Sequence, residues 1–354
     1  MEGLSLPKMM KAVQWDSKKR EIQINQVPVP EPGENQMLIR IASASLCHSD
    51  LMAIRDVFVS VDRPKPVTLG HEGAGYVEKL HPSSSGKGFE IGDPVGFLYI
   101  IGSCFECDGC QVHNMHCERS EAHTQGFTFD GFFAEYALVD WHNTMILPKK
   151  IDVKLASPLF CAGCTSFNCV ESCELQPGQW LTIVGCGGLG QIACQYAKAM
   201  GYNVIGIDIE DSILEVVKKI GADYVFNSRT DQDYVKKIKD LTNGKGSDTV
   251  AIFSAATSAY KSAPSLVRLG GIILVVGLPD AGVTFNALDI AIGTFRIRGD
   301  STGVPTRMPR AIDFTAKHGI KPETEVYHSL DDVPSMIQKM QNGKATKKMV
   351  VSLA

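Results

Sequence analysis

Four cysteines form one short run, Cys104-x2-Cys107-x2-Cys110-x6-Cys117. Thiols so closely spaced can wrap a single tetrahedral Zn2+ and fill its coordination, the chemistry of a structural metal site. A second set is dispersed: Cys47 in Cys47-His48-Ser49-Asp50, His71 and Glu72 in Gly70-His71-Glu72-Gly73-Ala74-Gly75, and Cys161. Two soft thiolates and one imidazole from distant segments suit a zinc with a vacant fourth position, where a substrate oxygen can bind. Asp50 and Glu72 are natural partners for such a site, able to orient the imidazole or adjust the charge around the metal. Cys47 or His71 alone would read as a packed residue, and it is their company that makes them ligand candidates. The remaining thiols, Cys164, Cys169, Cys173, Cys186 and Cys194, read as small buried hydrophobes, although Cys164, three residues after Cys161, could compete for metal.

A third chemical feature is Gly185-Cys186-Gly187-Gly188-Leu189-Gly190, which follows the strand-like LTIVG and opens the helix-like QIACQYAKAM. In that context Gly185, Gly187, Gly188 and Gly190, with Leu189, let the backbone turn tightly and bring N–H groups at a helix start against a pyrophosphate. The next strand-like run, NVIGID, ends in Asp208, close to the about 20 residues at which an acid binds the adenosine ribose hydroxyls. Glu210 and Asp211 would repel a 2′-phosphate, and no Arg or Lys immediately follows Asp208, so NAD is expected over NADP.

The elements that must position these groups divide the 354 residues, too many for one ordinary core, into two domains. From about residue 10 to 100, short Val/Ile/Leu strands alternate with Gly and Pro turns, a mainly β pattern. After Gln179 strands and helices alternate through LTIVG, QIACQYAKAM, NVIGID, ILEVVKKIG, TVAIF and GIILVVG, the pattern of a parallel sheet covered by helices. The expected division is 1–160 for a catalytic domain with a metal lobe at 103–118, 161–302 for cofactor binding, and 303–354 returning to the first domain. A net charge of −4 with no basic block argues against nucleic acid, and no apolar run is long enough to span a bilayer. The N-terminal MEGLSLPKMMKAVQW has no signal-peptide core, which points to a cytoplasmic protein with reduced thiols.

Taken together, CHSD, GHEGAG, the four-cysteine run, SPLFCAG, GCGGLG with QYAKAMGYNVIGID, and the tail KKMVVSL resemble a zinc-dependent alcohol dehydrogenase of the medium-chain dehydrogenase/reductase superfamily, closest in pattern to yeast-type enzymes. The resemblance covers nearly the whole chain. It implies an α/β protein with a GroES-like β-rich catalytic domain and a Rossmann doubly wound parallel-sheet domain. It further implies Zn2+ at each cysteine set, NAD, and a homodimer or homotetramer. Cys47, His71 and Cys161 would bind the catalytic zinc, with Glu72 a nearby or transient ligand and a zinc-bound alkoxide giving hydride to the nicotinamide. Ser49 stands where the family's hydroxyl takes the alcohol proton. His48 matches a pyrophosphate contact, Thr165 a position by the nicotinamide, and Val276, Gly277 and Leu278 the loop lining it. Lys348 stands where the family often places an Arg on the cofactor phosphate, keeping the charge without the bidentate fork.

Three departures shape the expectations. Met52 occupies a position where many relatives carry a His that ends the proton relay, so the proton is expected to leave through Ser49 and the cofactor ribose. Ile54, Phe58 and Tyr99 align with bulky Trp positions of the yeast-type ethanol enzymes, which implies a roomier pocket and substrates larger than ethanol. The Cys110-x6-Cys117 interval is one residue shorter than the family's, and QVHNMH offers His113 and His116, so Cys117 and His116 both stand as the fourth lobe ligand. Alternatives to an alcohol dehydrogenase are a carbonyl reductase or polyol dehydrogenase using the same site, or a zinc- and nucleotide-binding scaffold without catalysis.

Overall fold

The computed structural model describes residues 6–55 and 65–353, so Phe58 lies outside the described residues. The chain divides into two compact units: Met1–Cys161 with Val304–Ala316 and Thr324–Ala354, and Ala162–Gly303 with Lys317–Glu323. The first unit holds strands β1 (Met9–Asp16), β2 (Glu21–Pro28), β3 (Gln36–Leu46), β4 (Val67–Thr68), β5 (Glu72–Leu80), β6 (Pro94–Phe97), β7 (Ile100–Ile101), β8 (His123–Thr124), β9 (Tyr136–Asp140) and β10 (Thr144–Ile146). The second contributes β11 (Trp180–Val184), β12 (Asn203–Asp208), β13 (Tyr224–Asn227), β14 (Ser247–Ile252), β15 (Val267–Val275) and β16 (Phe295–Gly299); the chain then returns to the first with β17 (Thr324–Tyr327) and β18 (Lys348–Ser352).

In the first unit β3 is the organising strand. Its eleven residues, QMLIRIASASL, are almost all buried. Along one side it pairs antiparallel with β5, while its other side is shared between β9, opposite Gln36–Arg40, and β18, opposite Ser43–Leu46. The resulting mixed sheet runs β10-β6-β5-β3-β18-β17, with β9 off that path. Met37, Ile39, Ile41, Phe97, Phe132, Phe133 and Met349 build its core. The segment Ser157–Phe160 docks on this sheet through Phe160, which is fully buried and fills the space over Gly96; a Cβ on Gly96 would come within 1.8 Å of the ring. That close approach fixes where the chain delivers Cys161.

The second unit is a six-stranded sheet of order β13-β12-β11-β14-β15-β16, parallel at every pairing. This is the doubly wound order in which ligands bind beyond the carboxyl ends of the central strands, here β11 and β14. WLTIV, NVIGID and SDTVAI read as near-continuous apolar runs because helices cover both faces of such a sheet.

Candidate active site

Cys47 follows β3 directly and caps helix α1 (His48–Ile54). Asp50, in the first turn, is fully buried and links two ligand positions: one carboxylate oxygen accepts the Cys47 N–H at 2.8 Å, the other lies 2.7 Å from His71 Nδ1. With Nδ1 so engaged, Nε2 is the nitrogen left for a metal. His71 and Glu72 sit at the start of β5, and Cys161 arrives with the Phe160 anchor. One ligand atom from each of Cys47, His71, Glu72 and Cys161 lies within 4.8 Å of all the others, and all four residues are buried. Ser49 Oγ is 3.9 Å from Cys47 Sγ.

The electrostatics of this group suit a divalent cation. The Cys161 thiol hydrogen-bonds Cys47 and holds its pKa well below the ordinary value against the opposing effect of burial. The same hydrogen bond, with burial, pushes Cys161 well above its ordinary range. Burial disfavours an imidazolium at His71, but Asp50 and Cys47 together outweigh it and raise the His71 pKa well above normal. Burial lifts the Glu72 carboxyl to about 7 despite the pull of the Lys348 charge. Two buried thiols, an imidazole and a carboxylate converging on one point are a donor set that fits zinc.

Lys348, only 5% exposed, is turned inward onto this group. Its Nζ donates to Glu72 Oε1 at 2.8 Å and to the Leu46 carbonyl at 3.0 Å, and lies 2.6 Å from Glu72 Oε2 as an ion pair. Burial works against its charge, and the Glu72 carboxylate overcomes that and raises its pKa. Register puts Lys348 at the first residue of β18, beside the Glu72 carboxylate.

Around His71 the structure gathers two aromatic rings, Tyr99 and Phe127, each with its centroid 5.1 Å from the imidazole. Tyr99 had been singled out from the sequence; Phe127 had not, although it lies in the TQGFTFDG loop. Ile54 packs in the hydrophobic core of the first unit. Met52 is partly buried, and His48 is exposed at the first turn of α1.

The four-cysteine run folds as a separate lobe around helix α2 (Asp108–Val112). Cys104, Cys107, Cys110 and Cys117 bring their sulfurs within 4.8 Å of one another, and His116 is not in that group. The sulfurs accept backbone N–H bonds: Cys104 N to Cys117 Sγ at 3.3 Å, Cys107 N to Cys104 Sγ at 3.4 Å, and Glu118 N to Cys107 Sγ at 3.3 Å. His113 caps the turn through Met115 N at 3.3 Å. Burial raises the Cys110 thiol to about 12. At Cys117 burial pulls upward too, but hydrogen bonds from Ser120 and neighbouring amides bring it down to about 5. Such a closed, all-thiol cradle also fits zinc.

In the second unit Gly185 has φ +90°, and a Cβ there would meet Ser254 N at 2.6 Å. Gly187 precedes helix α3 (Gly188–Ala199) and has open space where a Cβ would stand, which leaves the helix N-terminus approachable by a phosphate group. The Asp208 carboxylate, at the end of β12, accepts the Cys186 N–H at 2.7 Å and the Ile209 and Glu210 N–H groups at 2.7 and 3.1 Å. A cation the linear sequence did not flag, Arg229, is brought to Glu210 at 3.1 Å and paired there. Thr165 Oγ1 lies 3.1 Å from Thr302 Oγ1, and Tyr260 donates to the Gly277 carbonyl between Val276 and Leu278. These residues fit a dinucleotide.

A parallel-sheet unit with a glycine fingerprint, joined to a β-rich unit with two cysteine sets, has the layout of a metal-containing dehydrogenase. The alcohol dehydrogenase GroES-like domain model matches residues 33–149, and the zinc-binding dehydrogenase model matches residues 188–317. An alcohol dehydrogenase of Geobacillus stearothermophilus is 32% identical over 346 residues, covering 97% of this chain and 100% of the relative. The crystal structure of the alcohol dehydrogenase from the hyperthermophilic archaeon Aeropyrum pernix superposes with a TM-score of 0.87 at 28% identity, covering 97% of this chain and 100% of that one. A solved NAD-dependent alcohol dehydrogenase gives 0.86 at 25% identity, with 98% and 100% covered. The chain belongs to the zinc-dependent alcohol dehydrogenases of the medium-chain dehydrogenase/reductase superfamily. It is an oxidoreductase acting on a small-molecule substrate, and among the described residues no helix is long and apolar enough to cross a membrane.

Proposed function

We propose that this protein is an NAD-dependent zinc alcohol dehydrogenase that reversibly converts a primary or secondary alcohol larger than ethanol to its aldehyde or ketone. The observation that carries the reading is the buried Cys47–His71–Cys161 group with Glu72 inside the same 4.8 Å cluster. When bound, zinc supplies Lewis-acid polarisation of the alcohol oxygen and NAD supplies the hydride acceptor. The chain's own residues hold and prepare these partners. Cys47, His71 and Cys161 bind the metal, Asp50 fixes the imidazole, and the Ser49 hydroxyl takes the alcohol proton. Met52, at the position of the usual relay His, has no group to carry that proton further. Gly185, Gly187, Gly188, Leu189 and Gly190 cradle the pyrophosphate with His48, while Thr165, Val276, Gly277 and Leu278 line the nicotinamide. Asp208 takes the ribose hydroxyls, and selection for NAD is supported by Glu210, which both adds negative charge and occupies Arg229. Tyr99 and Phe127, beside His71, shape the substrate pocket together with Ile54.

Cys104, Cys107, Cys110 and Cys117 hold the second zinc. We further assign a homo-oligomer formed through the second unit, supported by β16, one of the sheet's two edge strands, and by the exposed Leu288, Ile290 and Ile292 between β15 and β16. A cytoplasmic location is supported by eleven cysteines whose settings suit metal ligation or burial.

The test is NADH formation with a panel of alcohols and polyols, and NADH consumption with the matching carbonyls, before and after chelation. Chelator-sensitive turnover that favours NAD over NADP and longer or aromatic alcohols over ethanol is expected. Bound zinc and NAD without turnover on any substrate would instead indicate a scaffold.

A further inference from the structure

Ser45 has no place in the roles assigned so far, yet it touches the centre of the site. It is fully buried and lies two residues before Cys47, so the alternation of the strand turns both side chains to the same face. In the antiparallel β3–β5 ladder Ser45 stands directly opposite Glu72. Its hydroxyl donates to Glu72 Oε2. On the other side of β3, Val350 is its partner in β18, and Lys348, two residues earlier, shares Val350's face and meets the same carboxylate. Three neighbouring strands thus aim a hydroxyl, a carboxylate and an ammonium at one another.

We propose that Ser45 is a positioning residue that, with Lys348, holds the Glu72 carboxylate away from a metal bound by Cys47, His71 and Cys161, and so keeps one coordination position open for the alcohol. This rests on the proposed zinc alcohol dehydrogenase reading. Glu72 is close enough to be the fourth ligand, because one of its oxygens lies within 4.8 Å of both sulfurs and the imidazole nitrogen. Both of its oxygens already accept a hydrogen bond, Oε1 from Lys348 and Oε2 from Ser45, with the Lys348 charge beside both. A buried oxygen that loses a donor seeks another partner. With Ser45 removed, the partner within reach of Oε2 is the metal, and Glu72 then competes with substrate.

The holoenzyme with cobalt in the dispersed site allows this to be read without turnover, by following imidazole binding at the open position through the visible cobalt spectrum. Ser45→Ala is expected to weaken imidazole binding about tenfold, in the range typical for residues that support metal ligands, with a changed cobalt band. KM for alcohol should rise by more than kcat falls. Ser45→Thr, which keeps the hydroxyl, should restore all three. In a Glu72→Gln background Ser45→Ala should have no further effect, and the lobe should keep its zinc throughout. Unchanged imidazole affinity in Ser45→Ala overturns the proposal, as does an equal loss in the Glu72→Gln background. If Ser45→Ala does not fold, Ser45→Gly removes the same hydroxyl and carries the same expectations. A wild-type protein that takes up no cobalt at this set overturns the zinc reading itself, an outcome distinct from cobalt bound and Ser45 neutral.

Discussion

At Cys47, His71 and Cys161 the candidate ligands are buried and governed by charged and polar side chains: Asp50 on the imidazole, Lys348 and Ser45 on Glu72, and a hydrogen bond between the two thiols. At Cys104, Cys107, Cys110 and Cys117 the sulfurs are governed by the backbone of their own loop, through N–H groups of Cys104, Cys107 and Glu118. The first site exists only when β3, β5, β18 and the segment before Cys161 are in register. The second needs only its own run of residues and a surface to rest on. A site assembled across a sheet can hold a metal while leaving charged groups and an open position at hand; a site built within one loop closes on its metal. The two clusters should therefore fail in different ways.

The largest effect is expected from Cys47→Ala. Losing a ligand of the dispersed site removes several kcal/mol of transition-state stabilisation, which corresponds to a fall in alcohol oxidation of about a thousandfold or more. Zinc content should drop from about two per subunit to about one, the remainder being held by the closed four-thiol lobe. Two zinc ions retained in this variant would show that the dispersed set is not a metal site. Cys110→Ala should do the converse. It empties the lobe and lowers unfolding stability by about 4 kcal/mol, the linkage expected for a metal present at about a thousand times its Kd. The dispersed site should keep its metal and its cobalt spectrum. Denaturant unfolding with metal analysis measures both, and loss of both metals from Cys110→Ala would erase the distinction between the clusters.

The lobe was legible in the sequence because its spacing is local: Cys104-x2-Cys107-x2-Cys110 describes a compact turn without reference to the rest of the chain. The shortened interval to Cys117 left His116 open as a ligand, and only the fold, which puts four sulfurs together, separates the two. The parallel sheet was equally legible, since strand and helix patterns alternate from Gln179 onward and Asp208 follows the glycine motif at a recognisable distance. The dispersed ligands were visible as residue types, but their supports were not. Ser45 faces Glu72, and Lys348 turns inward, because of pairing between strands far apart in sequence. Phe127 reaches His71 through ring packing, and Arg229 finds Glu210 beside the end of β12; neither has a local signal. Periodicity gives the faces of a strand, and register decides which faces meet.

Asp50→Asn comes next in size. The amide keeps the shape but loses the charge that favours a donating Nδ1 on His71, and such partners typically contribute about 10–100-fold in metal affinity. Weaker metal binding should be confined to the dispersed site. Chelator competition with the two metals resolved would read it, and equal weakening at the lobe would mean that the substitution disturbs the unit as a whole.

The smallest expected effect probes what the lobe rests on. Phe105, between the first two lobe cysteines, stacks on His142 with centroids 4.6 Å apart and planes 16° from parallel, and His142 is itself fixed by Asp140 at 2.7 Å. Phe105 also has φ 60°, a left-handed conformation that Phe and Ala disfavour alike. Phe105→Ala therefore leaves the backbone penalty in place and removes the stack, worth about 1 kcal/mol, or roughly a fivefold faster release of the lobe metal. Phe105→Gly deletes the same ring and relieves the backbone, so it should release metal more slowly than Phe105→Ala. If the lobe is held by its own amides, both variants leave the dispersed site untouched. A parallel loosening at Cys47, His71 and Cys161 would show that the lobe braces the sheet, and the independence argued for the two clusters would fall.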